Sequence, residues 1–160
     1  MTPFELNTLK YFHDGERYLG GHVIDWSDIA YTTMFWLSKL RERLDSPIRL
    51  IRGAHPGKPT AVDFCCPGRP LSAVFLGLTR LQECSWGIYS GNSAHLDTRP
   101  YAYLPARWVA VKVDQEGILN DRGLAGLEGY RANGWIYLTY DHDLSFEAVK
   151  LVCELAERIS

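Results

Sequence analysis

A chain of 160 residues with 46% hydrophobic and 12% aromatic residues is long enough to form one domain with a packed core. Its 17 basic and 19 acidic residues form no long run of either sign, which excludes the charge pattern of a nucleic-acid or anionic-membrane surface. The first residues, MTPFELNTLK, lack the apolar segment of a signal peptide, and no later stretch has the roughly 20 apolar residues of a membrane span. We therefore expect one soluble domain over residues 1–160, made in the cytoplasm, with neither nucleic acid nor membrane as a partner.

The first half of the chain predicts two helices and two strands. After an irregular or short-stranded lead-in over residues 1–26, apolar side chains recur at helical spacing from Ser27 to Leu44. Pro47 ends this helix because proline disfavours helical geometry in the residue before it. Strands are predicted at residues 48–52 and 61–66, and a second helix at residues 70–81.

The second half predicts more strands and a closing helix. Gly91, Asn92 and Ser93 have the composition of a hairpin turn, and the four glycines between residues 114 and 133 indicate turns with one short helix. Strands are predicted at residues 86–90, 94–98, 107–113 and 135–140, and a helix at residues 145–159.

The cysteines indicate neither a disulfide framework nor a zinc knuckle. The vicinal pair Cys65 and Cys66 can scarcely bond to itself without strain, and the chain has no C-x-x-C motif. We expect these two residues, together with Cys84 and Cys153, to be reduced and to act as small buried apolar side chains.

Asp63 is the most informative polar residue in the chain. It lies in the apolar run AVDFCC, where an ionised carboxylate is costly to bury without a positive or hydrogen-bonding partner. One candidate partner set is histidine: His55 lies in the rigid HPGKP loop, and His95 opens the segment AHLDT. The alternative is a salt bridge from Asp63 to Arg52 or Arg49.

Two imidazoles and one carboxylate are a sufficient ligand set for a catalytic zinc ion that keeps its fourth position open. Asp97 lies two residues after His95 on the same face of a strand, where it could orient the His95 ring.

Three segments resemble the zinc D-Ala-D-Ala carboxypeptidases and dipeptidases, whose relatives include phage L-alanyl-D-glutamate endolysins and the hedgehog signalling domain. These segments are LRERLDSPIRLIRG, AHPGKPTAVDF and WGIYSGNSAHLDTRPYAYLPARW, and together they cover roughly residues 36–110. The resemblance implies an α+β fold of the hedgehog/DD-peptidase type, with a small antiparallel sheet flanked by helices. The peptidase-like core would cover about residues 27–113, and the C-terminal strand and helix at residues 134–159 would pack on it.

The resemblance also implies the roles of individual residues. One zinc ion would be held by the three ligands His55, Asp63 and His95, and Asp97 would support the site. Asp97 is also a candidate catalytic base, a role that the resemblance itself does not assign. A substrate carboxylate would be bound by arginine, for which the candidates are Arg52, Arg99 and Arg107.

The sequence departs from the family pattern at three places. His55 lies eight positions before Asp63 instead of seven, and the in-register position holds Pro56. The Ser-Gly-Tyr-Arg element, whose arginine takes the substrate carboxylate in the family, is reduced to residues 52–54. Asn92 occupies the place of an acidic general base, and an amide accepts no proton at neutral pH.

These observations give a main prediction and two alternatives. The main prediction is a zinc-dependent peptidase of the endolysin or carboxypeptidase type that acts on peptidoglycan stem peptides, released to the cell wall by means other than a signal peptide. The first alternative is a catalytically impaired relative that serves as a structural or wall-binding component, for example of a phage particle, with other proteins of that assembly as partners. The second is an unrelated α+β domain in which His-x-Asp is incidental.

Overall fold

The computed structural model of the protein describes residues 18–19, 22–23, 29–52, 58–99, 106–121, 129–139 and 145–159. The helices are α1 (Tyr31–Leu44), α2 (Leu71–Leu78), α3 (Glu116–Asp121) and α4 (Ser145–Ile159), and a 3-10 turn (Val113–Gln115) precedes α3. The strands are β1 (Tyr18–Leu19), β2 (His22–Val23), β3 (Arg49–Arg52), β4 (Ala61–Cys65), β5 (Ser85–Tyr89), β6 (Ser93–Asp97), β7 (Arg107–Lys112), β8 (Gly129–Ala132) and β9 (Trp135–Thr139).

Seven of these strands form one mixed sheet in the order β3-β4-β6-β5-β7-β9-β8, and β1 pairs separately with β2. All neighbours in the large sheet are antiparallel except β5 and β7, which are parallel. The predicted α+β class is therefore confirmed. The prediction of a small, antiparallel sheet is wrong in its size and in the direction of one strand pair.

The additional strand, β8, comes from the glycine-rich segment that predicted turns. It pairs with β9 through a tight turn in which Asn133 has φ 53° and Gly134 has φ 83°. Asparagine and glycine tolerate this left-handed conformation better than other residues, so the Asn-Gly dipeptide permits a hairpin here. The predicted short helix in the same segment corresponds to α3.

One face of the sheet carries the hydrophobic core. Val62, Leu96 and Trp86 lie opposite one another on β4, β6 and β5, and all three are fully buried. Helix α2 packs on this face, where the Phe75 ring meets the Trp86 ring edge-on with 5.7 Å between centroids. Buried residues of α1 and α4 belong to the same cluster, among them Met34, Leu37, Leu40, Val149 and Val152. Side chains that alternate with the core residues along each strand lie on the opposite face.

The predicted core at about residues 27–113 and the predicted C-terminal segment at residues 134–159 share this sheet, because β9 pairs with β7. Whether residues 1–160 form a single domain stays a prediction. In the described part of the chain, no helix combines the length and the apolar character needed to cross a bilayer.

The four cysteines are free thiols, and three of them are buried while Cys65 is half-buried. Burial raises the pKa of Cys84 and of Cys153 to about 11. Both thiols therefore stay protonated at neutral pH, which keeps them unreactive.

Truncation of the Leu96 side chain on β6 is expected to destabilise the protein strongly. Leu96 is fully buried, so Leu96→Ala should lower the free energy of unfolding by about 2–5 kcal/mol, since it leaves a cavity in the core. The matched control is Leu76→Ala, because Leu76 is 62% exposed and its truncation should change stability by less than about 0.5 kcal/mol. Urea unfolding of both variants tests this, and equal losses would contradict the described packing.

Candidate functional site

Asp63 and His95 meet on the sheet face opposite the core. They lie directly across from each other on β4 and β6. His95 Nδ1 is 2.7 Å from Asp63 Oδ1, and the two side chains are 11% and 26% exposed. The carboxylate in the apolar strand therefore has the imidazole as a hydrogen-bonding partner, because antiparallel pairing places two residues remote in sequence side by side.

This contact determines which nitrogen of the His95 ring carries the proton. An ionised carboxylate only accepts hydrogen bonds, so Nδ1 must donate to Asp63. In the neutral ring the lone pair then lies on Nε2, which makes Nε2 the atom that can bind a metal ion or accept a proton. Asp63 thus holds the His95 imidazole in a fixed orientation, as carboxylates do for histidines in both metal sites and acid–base sites.

Trp108 packs beside His95, and Gly87 makes this possible. Gly87 lies between His95 and Trp108 in the cross-strand row of β6, β5 and β7. A Cβ atom on Gly87 would lie 2.1 Å from Trp108 Cε2, so only glycine leaves room for the indole to lie across β5. The indole reaches the imidazole with 5.3 Å between ring centroids.

Further aromatic rings continue this surface away from the pair. Trp108 Nε1 donates a hydrogen bond to the Tyr89 hydroxyl at 3.2 Å. The Tyr89 ring meets Trp135 and Tyr137 edge-on, with centroids 5.0 and 6.1 Å apart. Burial raises the pKa of Tyr89, so its hydroxyl stays protonated at neutral pH. The four rings, Tyr89, Trp108, Trp135 and Tyr137, form an aromatic surface that we call the aromatic strip.

Asp97 is held by Thr60 and Arg99. Its Oδ1 accepts hydrogen bonds from the Thr60 hydroxyl at 2.8 Å and from the Arg99 backbone N–H at 2.9 Å, and Oδ2 accepts from Arg99 Nε at 2.7 Å. Burial alone would raise the pKa of Asp97, but these hydrogen bonds and the guanidinium charge hold it below its usual value. A carboxylate held in this way is a weak base, so its contacts favour a structural role, and the predicted catalytic role stays a prediction.

The three candidate substrate arginines lie in different places. Arg99 is 45% exposed at its side chain although its Nη2 atom is 2.6 Å from Asp97 Oδ2. Arg107 pairs in register with Trp86, and its guanidinium lies 5.8 Å from the centroid of that ring. It therefore lies on the core face, away from His95. The backbone of Arg52 lies opposite Asp63 in the β3–β4 pair, and its side chain falls outside the described residues.

His55, the third predicted ligand, also lies outside the described residues. Among those that are described, no group of three or more His, Cys, Asp or Glu side chains is arranged to hold a metal ion. Asn92, which takes the place of the family's general base, has φ 63° in the turn between β5 and β6. That left-handed conformation favours asparagine or glycine, so the turn gives a structural reason for the amide.

The donor atoms of Asp63 and His95 fit zinc in type but are hydrogen-bonded to each other. Two ligands of one tetrahedral zinc, each about 2.1 Å from the ion, lie about 3.4 Å apart. The observed 2.7 Å is a hydrogen-bond distance, so direct binding by both atoms requires loss of the bridging proton and a small separation of the two side chains. A second arrangement keeps the hydrogen bond, with Nε2 as ligand and Asp63 as the group that orients the ring.

Comparisons with protein-family models, with curated proteins and with solved structures give no match. The functional argument therefore depends on the residues of this chain.

The sequence analysis missed Gly87, Tyr89 and Trp108 as parts of the site. A glycine inside a strand signals a close approach of another group, and Gly87 lies in the run SWGIY of β5. Its partner could not be identified from sequence, because β7 follows β6 in the chain but pairs with β5, on the edge of β5 opposite to β6.

Gly87→Ala is expected to displace Trp108 from His95. The added methyl group would overlap the indole, so we expect a loss of about 1–3 kcal/mol in the free energy of unfolding and a shifted Trp108 indole N–H signal in the NMR spectrum. Gly117→Ala is the matched control, because a Cβ there meets nothing within 4 Å. The described packing is contradicted if both variants leave the Trp108 signal unchanged.

Asp97→Asn is expected to remove a pH-dependent part of the stability. Because the folded-state pKa of Asp97 is lowered, its carboxylate stabilises the fold above the unfolded-state pKa of about 3.9, and this contribution is lost as pH falls through the folded-state value. The free energy of unfolding of the variant should be about 1–3 kcal/mol lower than that of the wild type at neutral pH, and the two values should converge in acid.

Urea unfolding of wild type and variant at several pH values measures this difference. Asp121→Asn serves as the control, since Asp121 is exposed at the end of α3. A difference between wild type and Asp97→Asn that does not change with pH would show that the charge of Asp97 contributes nothing.

Proposed function

We propose that the protein is a zinc-dependent, peptidase-like domain of the hedgehog/DD-peptidase type that acts on peptidoglycan stem peptides. The observation that carries this proposal is the contact between Asp63 and His95. The resemblance pairs these residues as ligands of one ion, and they lie 32 positions apart in sequence with side-chain tips 2.7 Å apart. His55 is the proposed third ligand.

The residues around the pair have roles that suit a peptide substrate. When bound, zinc would polarise the scissile carbonyl and lower the pKa of a bound water. Asp63 orients the His95 ring, and Trp108 covers one side of it and limits access of water. Of the two candidate arginines whose side chains the structure describes, Arg107 lies on the core face and Arg99 has a side chain that is 45% exposed, so we propose that Arg99 binds the substrate carboxylate.

A second function is favoured by the contacts of Asn92 and Asp97. The amide of Asn92 supplies no base, and the Asp97 carboxylate is held by Thr60 and Arg99. A domain with this site can bind zinc and a wall peptide without hydrolysing it. We propose this as the alternative: a structural or wall-binding component, for example of a phage particle, that keeps the metal site and has lost turnover.

Zinc binding and peptidoglycan digestion separate these functions. We expect the wild type to bind one zinc ion per chain, measured by elemental analysis after dialysis, and His95→Ala to weaken zinc binding by more than about 100-fold. His13→Ala is the matched control, because His13 lies outside the predicted ligand set. Release of free amino groups from purified peptidoglycan, with and without chelator, then measures turnover.

Each outcome decides between the proposals. Hydrolysis that chelator and His95→Ala both abolish supports the peptidase. Stoichiometric zinc without hydrolysis, together with co-sedimentation of the protein with peptidoglycan, supports the binding component. If wild type and His95→Ala take up zinc equally weakly, the metal site is absent and both proposals are wrong.

A further inference from the structure

A cavity in the helical layer is lined by three arginines. It has a volume of about 310 Å³ and lies between the C-terminal part of α1 and helix α2. Because both helices pack on the core face of the sheet, this cavity lies on the other side of the sheet from the His95–Asp63 pair. We call it the arginine cavity, and it is lined by Arg43, Arg69 and Arg80 together with Leu44, Leu76 and Gly77.

Helix packing and one hydrogen bond shape the arginine cavity. Gly77 allows α2 to approach α1 closely, since a Cβ there would lie 2.6 Å from Leu40 Cδ1. The same Cβ would lie 3.6 Å from Leu44 Cδ2, so the side chains of α1 pack directly against Gly77. Arg69 Nε donates a hydrogen bond to the Leu44 carbonyl at 2.7 Å, which fixes this guanidinium at the end of α1. The cavity is therefore a consequence of how the two helices meet.

The charge of the arginine cavity is not neutralised from within the described part of the chain. None of its lining residues is acidic, and none of the ion pairs there includes one of the three arginines. The C-terminal ends of α1 and α2 contribute about half an elementary negative charge each, so about two positive charges remain. The chain as a whole carries a net charge of -2, so this excess of positive charge is local.

We propose that the arginine cavity binds a phosphate-bearing ligand with at least two negative charges. Arg43, Arg69 and Arg80 are exposed, and guanidinium groups bind phosphate oxygens through paired N–H donors. A ligand with two or more negative charges can engage more than one of these guanidinium groups, which a single carboxylate does less well. The volume is in the range of small-molecule sites. Leu76 is 62% exposed at the cavity and offers an apolar contact to the organic part of such a ligand. A soluble phosphate ester and a lipid headgroup share this chemistry.

Calorimetric titration of the full chain with pyrophosphate tests the site. At an ionic strength of about 20 mM, where screening is weak, we expect one binding site per chain and much weaker binding of acetate. Arg43→Gln and Arg80→Gln should each lower the affinity roughly tenfold, because each removes a charged donor from the ligand. Arg69 is left unchanged since it also holds the end of α1.

Lys39→Gln is the matched control, because it removes the same charge from α1 outside the cavity. Its affinity should stay within about twofold of the wild type, since screened charges outside the site contribute little. Thermal unfolding of each variant reports whether it is folded. The proposal is overturned if pyrophosphate does not bind, or if Lys39→Gln weakens binding as much as the two arginine variants do.

Vesicle flotation distinguishes the two sources of the phosphate. Vesicles of phosphatidylcholine with phosphatidylinositol phosphate, whose headgroup carries at least two negative charges, are compared with vesicles of phosphatidylcholine alone. If the protein floats with the anionic vesicles, and if Arg43→Gln and Arg80→Gln each reduce this flotation, the result supports the site with a lipid headgroup as ligand. Pyrophosphate binding without flotation supports the site with a soluble phosphate ester as ligand.

Discussion

The contact between Asp63 and His95 is the interaction on which the arrangement of this sheet face depends. A carboxylate in the middle of an apolar strand would cost several kcal/mol to bury without a partner. The antiparallel pairing of β4 and β6 supplies the imidazole directly opposite. The same register continues through Gly87 to Trp108. One cross-strand row on β4, β6, β5 and β7 therefore holds the carboxylate, the imidazole, the glycine and the indole in that order.

The two faces of the sheet carry different chemistry. The core face holds the apolar residues and the helices, and it accounts for most of the buried surface. The other face holds the His95–Asp63 pair and the aromatic strip, whose rings combine apolar surface with polar tips. The arginine cavity lies in the helical layer, so the charges of its arginines are separated from the pair by the sheet.

The sequence predicted most elements because periodicity and turn composition are local properties. Helix α4 and the hairpin of β5 and β6 lie where the pattern placed them, to within a residue or two. The cost of burying a carboxylate predicted that Asp63 has a partner, but it left open whether that partner is histidine or arginine. The parallel pair of β5 and β7 and the approach of Trp108 to Gly87 were not predictable in this way, because each depends on contacts between segments remote in sequence. Strand β8 was missed although its signal is local, since the Asn133-Gly134 dipeptide before β9 has hairpin-turn composition.

The tautomer of His95 in the metal-free protein tests the central claim most directly. Nitrogen-15 NMR of histidine-labelled protein at mildly alkaline pH reports which ring nitrogen carries the proton. The account predicts that Nδ1 of His95 is protonated and that Nε2 is not, and that Asp63→Ala, which removes the acceptor, abolishes this preference. A His95 ring protonated at Nε2, with a spectrum that Asp63→Ala does not change, would contradict it.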